Sequence, residues 1–587
     1  MSIASDDNDA SPPPLLQSQE ISDHDTPSLN SNESEDIHYK VEDVPPWYFS
    51  IFFGFQHCLT MAGATIVIPI IISSFLCMAE DDPARGALVS TVFFHLGLVT
   101  LLQTTFGVRL PIVQGGCFTI LVPTIVLLTT IYEPCSALPM ANMTESEREE
   151  AWQVRIRDVQ GSIAVASLLQ IVVGVSGMIS VLQSWISPLT VVPTSSLVGL
   201  SLFDLTAQQA AKHWGISSLT VALIVLFSQY LRNVKFPLPV YRRKTGFTFS
   251  SYRIFKCFSM MLAVFISWAV CWMLTTWDLL PKGSAARTDA KGSLLSHSPV
   301  FRVPYPGQWG FPTASVAGIV GILSGMIASI TESFGNYYAC ARVAGASNPP
   351  ANAINRGIGI EGMGCLLAGF FGTGTGTVSC SQNVGVIEAT KVGSRRVAQV
   401  SAAFLILAGL FGKIGALIVT MPDPVLAGIL IVTFATIAAA GMAPLRCVDL
   451  NSSRNLFVLG FSVFLGLAVP KWLENNSGAI DTGSPMADQV LTIILQIPMF
   501  VGGFLGFLLD TTIPGTAKER GLLKWKEHLH GAPEMRLKDA YLQSQCYDLP
   551  FGMTAIKRWG FLRHVPFSPT FAGFRRRDKV PDEEGGI

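Results

Sequence analysis

Charge is what this chain lacks most. Only 14% of its 587 residues are Asp, Glu, Lys or Arg, against roughly 25% in an ordinary soluble domain, and so few charges cannot clothe a water-soluble surface. A formal net charge of −1 offers no basic face to a polyanion, so no nucleic-acid partner is expected. The 11 cysteines show no paired metal-ligand spacing and mostly fall inside apolar runs, where Cys behaves as a small hydrophobe. Neither a disulfide scaffold nor a metal or other cofactor is expected. Enzyme signatures are missing too: there is no H-E-x-x-H and no G-x-S-x-G elbow. Gly372-Thr-Gly-Thr-Gly376 is not followed by the Gly-Lys-Ser/Thr of a phosphate loop. The first 40 residues have no basic n-region and no apolar h-region, and read as a Ser-, Asp- and Pro-rich disordered tail instead of a cleaved signal.

What the chain has in abundance is apolar sequence, at 49% of residues with a mean hydropathy of +0.44. Runs of about 20 apolar residues, the length of a bilayer crossing, fall at 48–74, 84–106, 112–131, 158–181, 185–205, 213–231 and 256–280. After a polar connection, a second set falls at 312–336, 353–372, 375–390, 396–420, 422–443, 454–473 and 487–510. The expectation is a polytopic all-α membrane protein of 14 spans in two seven-span repeats, 44–280 and 312–510. An extracellular connection would lie at 281–311, with cytoplasmic tails at 1–43 and 511–587. The third run of each set carries Gly and small polar residues at membrane depth, in Leu110-Pro-Ile-Val-Gln-Gly-Gly-Cys-Phe-Thr119 and Gly372-Thr-Gly-Thr-Gly-Thr-Val-Ser-Cys-Ser381. Backbone that leaves the helix inside a bilayer must line a cavity, because each freed N–H or C=O otherwise costs several kcal/mol. Broken segments at matching places in two halves point to an inverted-repeat transporter with its site at the midplane; two glycine-rich packing helices are the plainer alternative.

Seven Lys and Arg residues between 232 and 256, and Lys391, Arg395 and Arg396, follow even-numbered spans. The positive-inside rule then puts both termini in the cytoplasm. On that topology the sequons at Asn142 and Asn475 face outward and are candidate glycosylation sites. Cys77 and Cys135 share the outer side, where a disulfide and two free thiols are both open.

Ionisable residues inside spans are costly and by default functional. His57 lies in span one, Glu332 ends span eight, Glu361 lies in span nine, and Glu388 and Lys391 close span ten. Glu332 and Asn336 share a helical face, which would look across at Ser379-Cys-Ser381-Gln382-Asn383. A carboxylate and amides beside broken backbone suit a small, flat, hydrogen-bonding solute. A channel would want a continuous polar lining or rings of like charge, which one carboxylate does not supply.

Gln56-His57, Glu332-Ser333 with Gly335, Asn355-Arg-Gly357, and Gln382-Asn-Val-Gly385 with Thr390-Lys391 resemble the signature set of the nucleobase/ascorbate transporters, the nucleobase:cation symporter-2 group. The resemblance runs from about Val44 to Gly521, and Tyr337–Arg342, Gly393–Arg396 and Asn451–Asn455 look closest to the animal branch, the sodium-dependent vitamin C transporters. It implies inverted repeats, a core domain of spans one to four and eight to eleven, a gate domain of the rest, and a short strand in spans three and ten. It also implies a plasma-membrane symporter for a nucleobase or for ascorbate, with Na⁺ or H⁺ as coupling cation, and it leaves room for a homodimer through the gate domain. Glu332 and Gln382 match the family's substrate-binding positions, and Phe118 the aromatic that lies against a base. Ser381 and Asn383, on either side of Gln382, are expected to bind substrate as well; His57 and Asn383 match positions that organise the core, and Gln56, Asn336, Glu388 and Thr390 are expected to organise it or bear on coupling. The ascorbate carriers typically have proline where this chain has Gln382, which leans the expectation toward a nucleobase. Asn336 stands where the family usually has an aspartate that serves the cation. Glu388 is acidic where animal relatives have a small residue, and either compensates for Asn336 or pairs with Lys391.

Overall fold

The computed structural model describes residues 37–139, 142–179, 186–242, 246–476, 478–530 and 545–571. In chain order come α1 (Trp47–Thr65), α2 (Val67–Phe75), α3 (Pro83–Thr105), β1 (Gln114–Gly116), α4 (Phe118–Ile131), α5 (Glu145–Ser176), α6 (Pro188–Leu200), α7 (Phe203–Ala211), α8 (Trp214–Val225) and α9 (Ile254–Thr276). The second half contributes α10 (Val316–Val343), α11 (Ala351–Phe371), β2 (Thr377–Ser379), α12 (Ser381–Thr390), α13 (Arg395–Leu410), α14 (Gly412–Val419), α15 (Asp423–Met442), α16 (Ser453–Asn475), α17 (Pro485–Leu495), α18 (Pro498–Thr512) and α19 (Leu522–His530).

The helix ends follow local chemistry. Asp82 accepts from Ala84 N at 2.8 Å ahead of Pro83, and Thr144 with Glu147 forms a capping box on α5. Gly177 and Gly372 end α5 and α11 in the left-handed conformation that a side chain would strain.

Among the described residues nine helices are long and apolar enough to cross a membrane, or ten if α17 and α18, bent by 78° at Gln496–Ile497, count as one. The protein is therefore a mostly helical, polytopic membrane protein. The count differs from the expected 14 because several expected spans are divided. The tenth is β2 and α12 and the eleventh is α13 and α14, each piece too short to cross alone, and the sixth is a shorter apolar helix over Trp214–Tyr230; the third begins as β1 but its helix, running on to Ala137, is among the nine.

Helix packing sorts into two groups. In the first, α5 lies against α11, α3 against α13 and α14, α1 against α13, and α10 against α4 and α5. In the second, α6 packs on α15 and α18, α16 on α18, and α8 on α15 and α9. The first group is tightly closed. A Cβ on Gly97 of α3 would sit 2.6 Å from the Ala402 carbonyl of α13, an approach only glycine permits.

Two regions depart from expectation. The basic connection after span six, read as a loop, contains an antiparallel hairpin of Phe236–Arg242 and Gly246–Tyr252. Of the expected tail at 1–43, residues 1–36 lie outside the described residues, but Val41 is buried and the Gly393 and Arg395 amides donate to Tyr39 and Val41 carbonyls. Arg395 holds a stretch from each of the expected tails, reaching Glu42 at 2.9 Å and the Cys546 carbonyl at 2.7 Å. Residues 545–571 of the other expected tail are likewise docked. Residues 39–42 and the stretch about Cys546 thus share one face, and Cys77 and Cys135 form a disulfide.

Candidate functional site

The two short strands carry the site. β1 and β2 pair antiparallel with Gln114 opposite Ser379 and Gly116 opposite Thr377, so each satisfies the other's backbone where neither segment can be helical. Each strand runs straight into a helix, β1 through Cys117 into α4 and β2 through Cys380 into α12. Two helix N-termini, with their free N–H groups and positive dipole ends, therefore open beside one another on a cavity of about 200 Å³.

The first helix group supplies the polar lining of that cavity. Phe118 and Thr119 of α4, Glu332 and Asn336 of α10, and Ser381 and Gln382 of α12 all face it. Phe118 stands edge-on to Phe434 of α15 with ring centroids 5.6 Å apart. The second group's wall is apolar, with Val191 and Val198 of α6 and Ile437 of α15, and Ser195 as a lone hydroxyl. Among the described residues no hydrogen bond within the protein engages the side chains of Glu332, Ser381 or Gln382.

The remaining expected site residues stand behind this wall. Asn383 is fully buried and its Nδ2 donates to the Pro111 carbonyl at 2.8 Å. That fixes Oδ1 as an acceptor, so the 2.5 Å contact with His57 requires a proton on His57 Nδ1. Asn383 and His57 therefore lock α12, α1 and the approach to β1 together, and Asn383 does not line the cavity. Gln56 is buried beside His57. Asn336 donates Nδ2 to the Ser379 carbonyl at 2.7 Å, tying α10 to β2.

Glu388 and Thr390 lie outside the site. Glu388 is exposed and pairs with Lys256 of α9 at 3.7 Å, a loose surface pair of small energetic weight. The observed partner of Glu388 is thus Lys256 and not Lys391, because the helix aims it at α9. Thr390 donates to the Val386 carbonyl at 2.9 Å within its own helix. Asn142 and Asn475 are exposed; Ser477 of the second sequon lies outside the described residues.

A network not read from sequence supports β2. Ser379 Oγ accepts from Gln114 Nε2 at 2.7 Å and donates to Glu361 Oε1 at 2.7 Å. Gln170 Nε2 reaches Glu361 Oε2 at 3.5 Å. All four residues are fully buried. Glutamines inside apolar runs were the available signal, but only the fold brings Gln114 and Gln170 to Glu361.

A polytopic helical membrane protein with a small cavity, polar on one wall, at two adjacent helix starts has the form of a membrane transporter. Residues 49–475 match the sequence profile described as "Permease family". Rat "Solute carrier family 23 member 1" is 47% identical over 93% of this chain and 91% of its own length. Human "Solute carrier family 23 member 2" is 47% identical over 94% and 85%, and "Nucleobase-ascorbate transporter 7" of Arabidopsis thaliana is 34% identical over 88% and 93%. The chain belongs to the nucleobase/ascorbate transporter family, and it is a transporter and not an enzyme. Among solved structures, the transmembrane domain of a cyanobacterial bicarbonate transporter matches 73% of this chain and 98% of its own, at a TM-score of 0.47 and 12% identity, a likeness too slight to bear on the fold.

Proposed function

We propose that this chain is a secondary active transporter that binds one small, planar, polar solute between the starts of α4 and α12 and carries it by alternating access. One observation carries the reading. Glu332, Ser381 and Gln382 line one cavity with side chains that, among the described residues, no protein hydrogen bond engages, an arrangement that costs free energy unless a ligand or water satisfies it. The first packing group is the core domain that holds solute and the second is the gate domain. The divided elements are spans of two inverted seven-span repeats, 14 in all. The protein sits in the plasma membrane with both termini cytoplasmic, Asn142 and Asn475 glycosylated outside, and the exposed apolar face of α16 (Phe457 and Phe464) available to lipid or to a second copy.

For the solute, whole-chain similarity favours ascorbate over the nucleobase expected from Gln382. The relatives at 47% identity are animal members, the branch that the motif resemblance ties to ascorbate, while the plant protein is at 34%. Two helix N-termini suit an anionic solute. The nucleobase reading keeps one specific observation. Gln382 faces the cavity from the second position of α12, where its amide can pair two-fold with a base edge while Glu332 accepts a ring N–H. A coupling cation, Na⁺ or H⁺, completes either reading.

The deciding measurement is uptake of labelled ascorbate, uracil and xanthine into cells expressing the chain, with and without Na⁺. Glu332→Gln preserves shape but exchanges an acceptor for a donor, and uptake of the accepted solute is expected to collapse at normal surface abundance. A Glu332→Gln version that transports at the parental rate removes Glu332 from the site.

A further inference from the structure

Three arginines crowd the turn between α3 and β1. Arg356 of α11 donates Nε to the Gly107 carbonyl at 3.3 Å, and Arg395 of α13 donates Nε to the Arg109 carbonyl at 2.8 Å. The Arg109 side chain stands close enough to both for their charges to act on it. Arg109, Arg356 and Arg395 are only 9%, 1% and 7% exposed. Their remaining donors are unequally used. Arg395 Nη2 reaches the Glu42 carboxylate at 2.9 Å and the Cys546 carbonyl at 2.7 Å, and Arg356 Nη2 reaches the Tyr547 carbonyl at 2.6 Å. Arg109 Nε and Arg356 Nη1 are buried and meet no acceptor among the described residues. The carboxylates beside Arg109 are engaged elsewhere, Glu42 with Arg395 and Asp548 with Lys557 at 3.6 Å. Arg109 is also held at φ 63°, a left-handed backbone uncommon outside glycine and met most often where a site demands it.

We propose that Arg109 and Arg356 hold a phosphate-type oxyanion, on the face where residues 39–42 and the Cys546–Tyr547 stretch dock. A buried guanidinium N–H without an acceptor calls for an ion or an ordered water, and a surplus of buried positive charge selects the anion. The guanidinium fork presents paired N–H groups at the spacing of two oxygens of one oxyanion, a match that a single spherical ion lacks. Bound there, the anion offsets the mutual repulsion of the three arginines and so helps them keep the Cys546 and Tyr547 carbonyls on α13 and α11. The site is separate from the solute cavity, which none of the three arginines lines. The same chemistry has two sources, free phosphate in solution and the phosphate of a phospholipid head group at the membrane surface.

The test uses the full chain purified in maltoside micelles and phosphate-free buffer. One arm titrates labelled inorganic phosphate at constant ionic strength, with chloride as the balancing anion. The other adds phosphatidic acid, with the phosphate-free diacylglycerol as its control. Both arms read bound ligand per chain and the melting temperature for the parent, Arg109→Gln and Arg109→Lys. The parent is expected to bind a single phosphate group and to melt higher with it than with chloride or diacylglycerol. Arg109→Gln should weaken binding by about tenfold or more, as for the loss of a charge-assisted hydrogen bond. Arg109→Lys, which keeps a point charge without the fork, should fall between the two. Binding in the inorganic arm alone assigns the free anion, and binding in the lipid arm alone assigns the head group. A parent that binds in neither arm overturns the proposal, whether or not the substituted chains fold. Unchanged affinity in Arg109→Gln, or stabilisation by chloride equal to that by phosphate, overturns it as well.

Discussion

Asn336 has one polar end committed and one free. Its Nδ2 donates to the Ser379 carbonyl at 2.7 Å, so an N–H already satisfies the oxygen that a cation at this position would share. An aspartate in its place would set a carboxylate against that carbonyl, two acceptors that only a cation or proton can bridge. The unmodified chain is therefore expected to show weak Na⁺ dependence or none, and Asn336→Asp to gain it. Initial uptake rate against external Na⁺, with choline as replacement, measures both, and a steep, saturable dependence of the parent at low millimolar Na⁺ would place the cation on other groups. Gln382 allows a sharper test of selectivity. It is the second residue of α12, where a helix tolerates proline because that N–H has no intrahelical acceptor. Gln382→Pro should therefore fold, and nucleobase uptake should weaken by the worth of one or two hydrogen bonds, about 1–3 kcal/mol, while ascorbate uptake is retained. Unchanged nucleobase affinity at normal surface abundance would falsify the pairing role of Gln382.

At the scale of elements, α3 and α13 meet so closely that side chains are excluded. With a Cβ at Gly97 only 2.6 Å from the Ala402 carbonyl and 2.7 Å from Ile406 Cγ1, Gly97→Leu must push the helices apart. The expected loss is about 1–3 kcal/mol or more, read as a lower melting temperature of detergent-purified protein or as loss of surface delivery. A Gly97→Leu version that melts with the parent would mean that α13 yields there. The β1–β2 pair was legible in outline, because glycine and small polar residues at membrane depth announce broken helix in both halves. The hairpin at 236–252 was not. Pro237 and Pro239 argue against a strand, and the surrounding Lys and Arg read as a charged loop. The Glu388–Lys256 pair was hidden too, since sequence spacing proposes partners only within one helix.

For the whole molecule, the disulfide between Cys77 and Cys135 joins the chain after α2 to the chain after α4. Asn142 stands exposed nearby, just ahead of the capping box that starts α5. Under the proposed orientation Asn142 carries a glycan. The measurement is a glycosidase-sensitive gel shift of surface protein that diminishes in Asn142→Gln; no change between the two would set the orientation, or the use of this sequon, aside. The stretches about Glu42 and Cys546 gather on one face through Arg395, so the fold is closed there by segments outside the membrane helices as well as by the helices.

The sequence by itself determined that the chain lives in a membrane, where its helices run, and where two of them break. Those follow from transfer free energy and backbone hydrogen-bond demand, which are local and additive along the chain. Its motifs also grouped Glu332, Gln382 and Phe118, which the structure brings to one cavity. Only the tertiary structure decided that Asn383 turns away to His57 and Pro111, that Glu388 meets Lys256, and that Gln114 and Gln170 converge on Ser379 and Glu361. Each of these is a contact between residues tens to hundreds of positions apart, and a side chain's choice among such partners depends on how helices cross, which composition and periodicity do not encode.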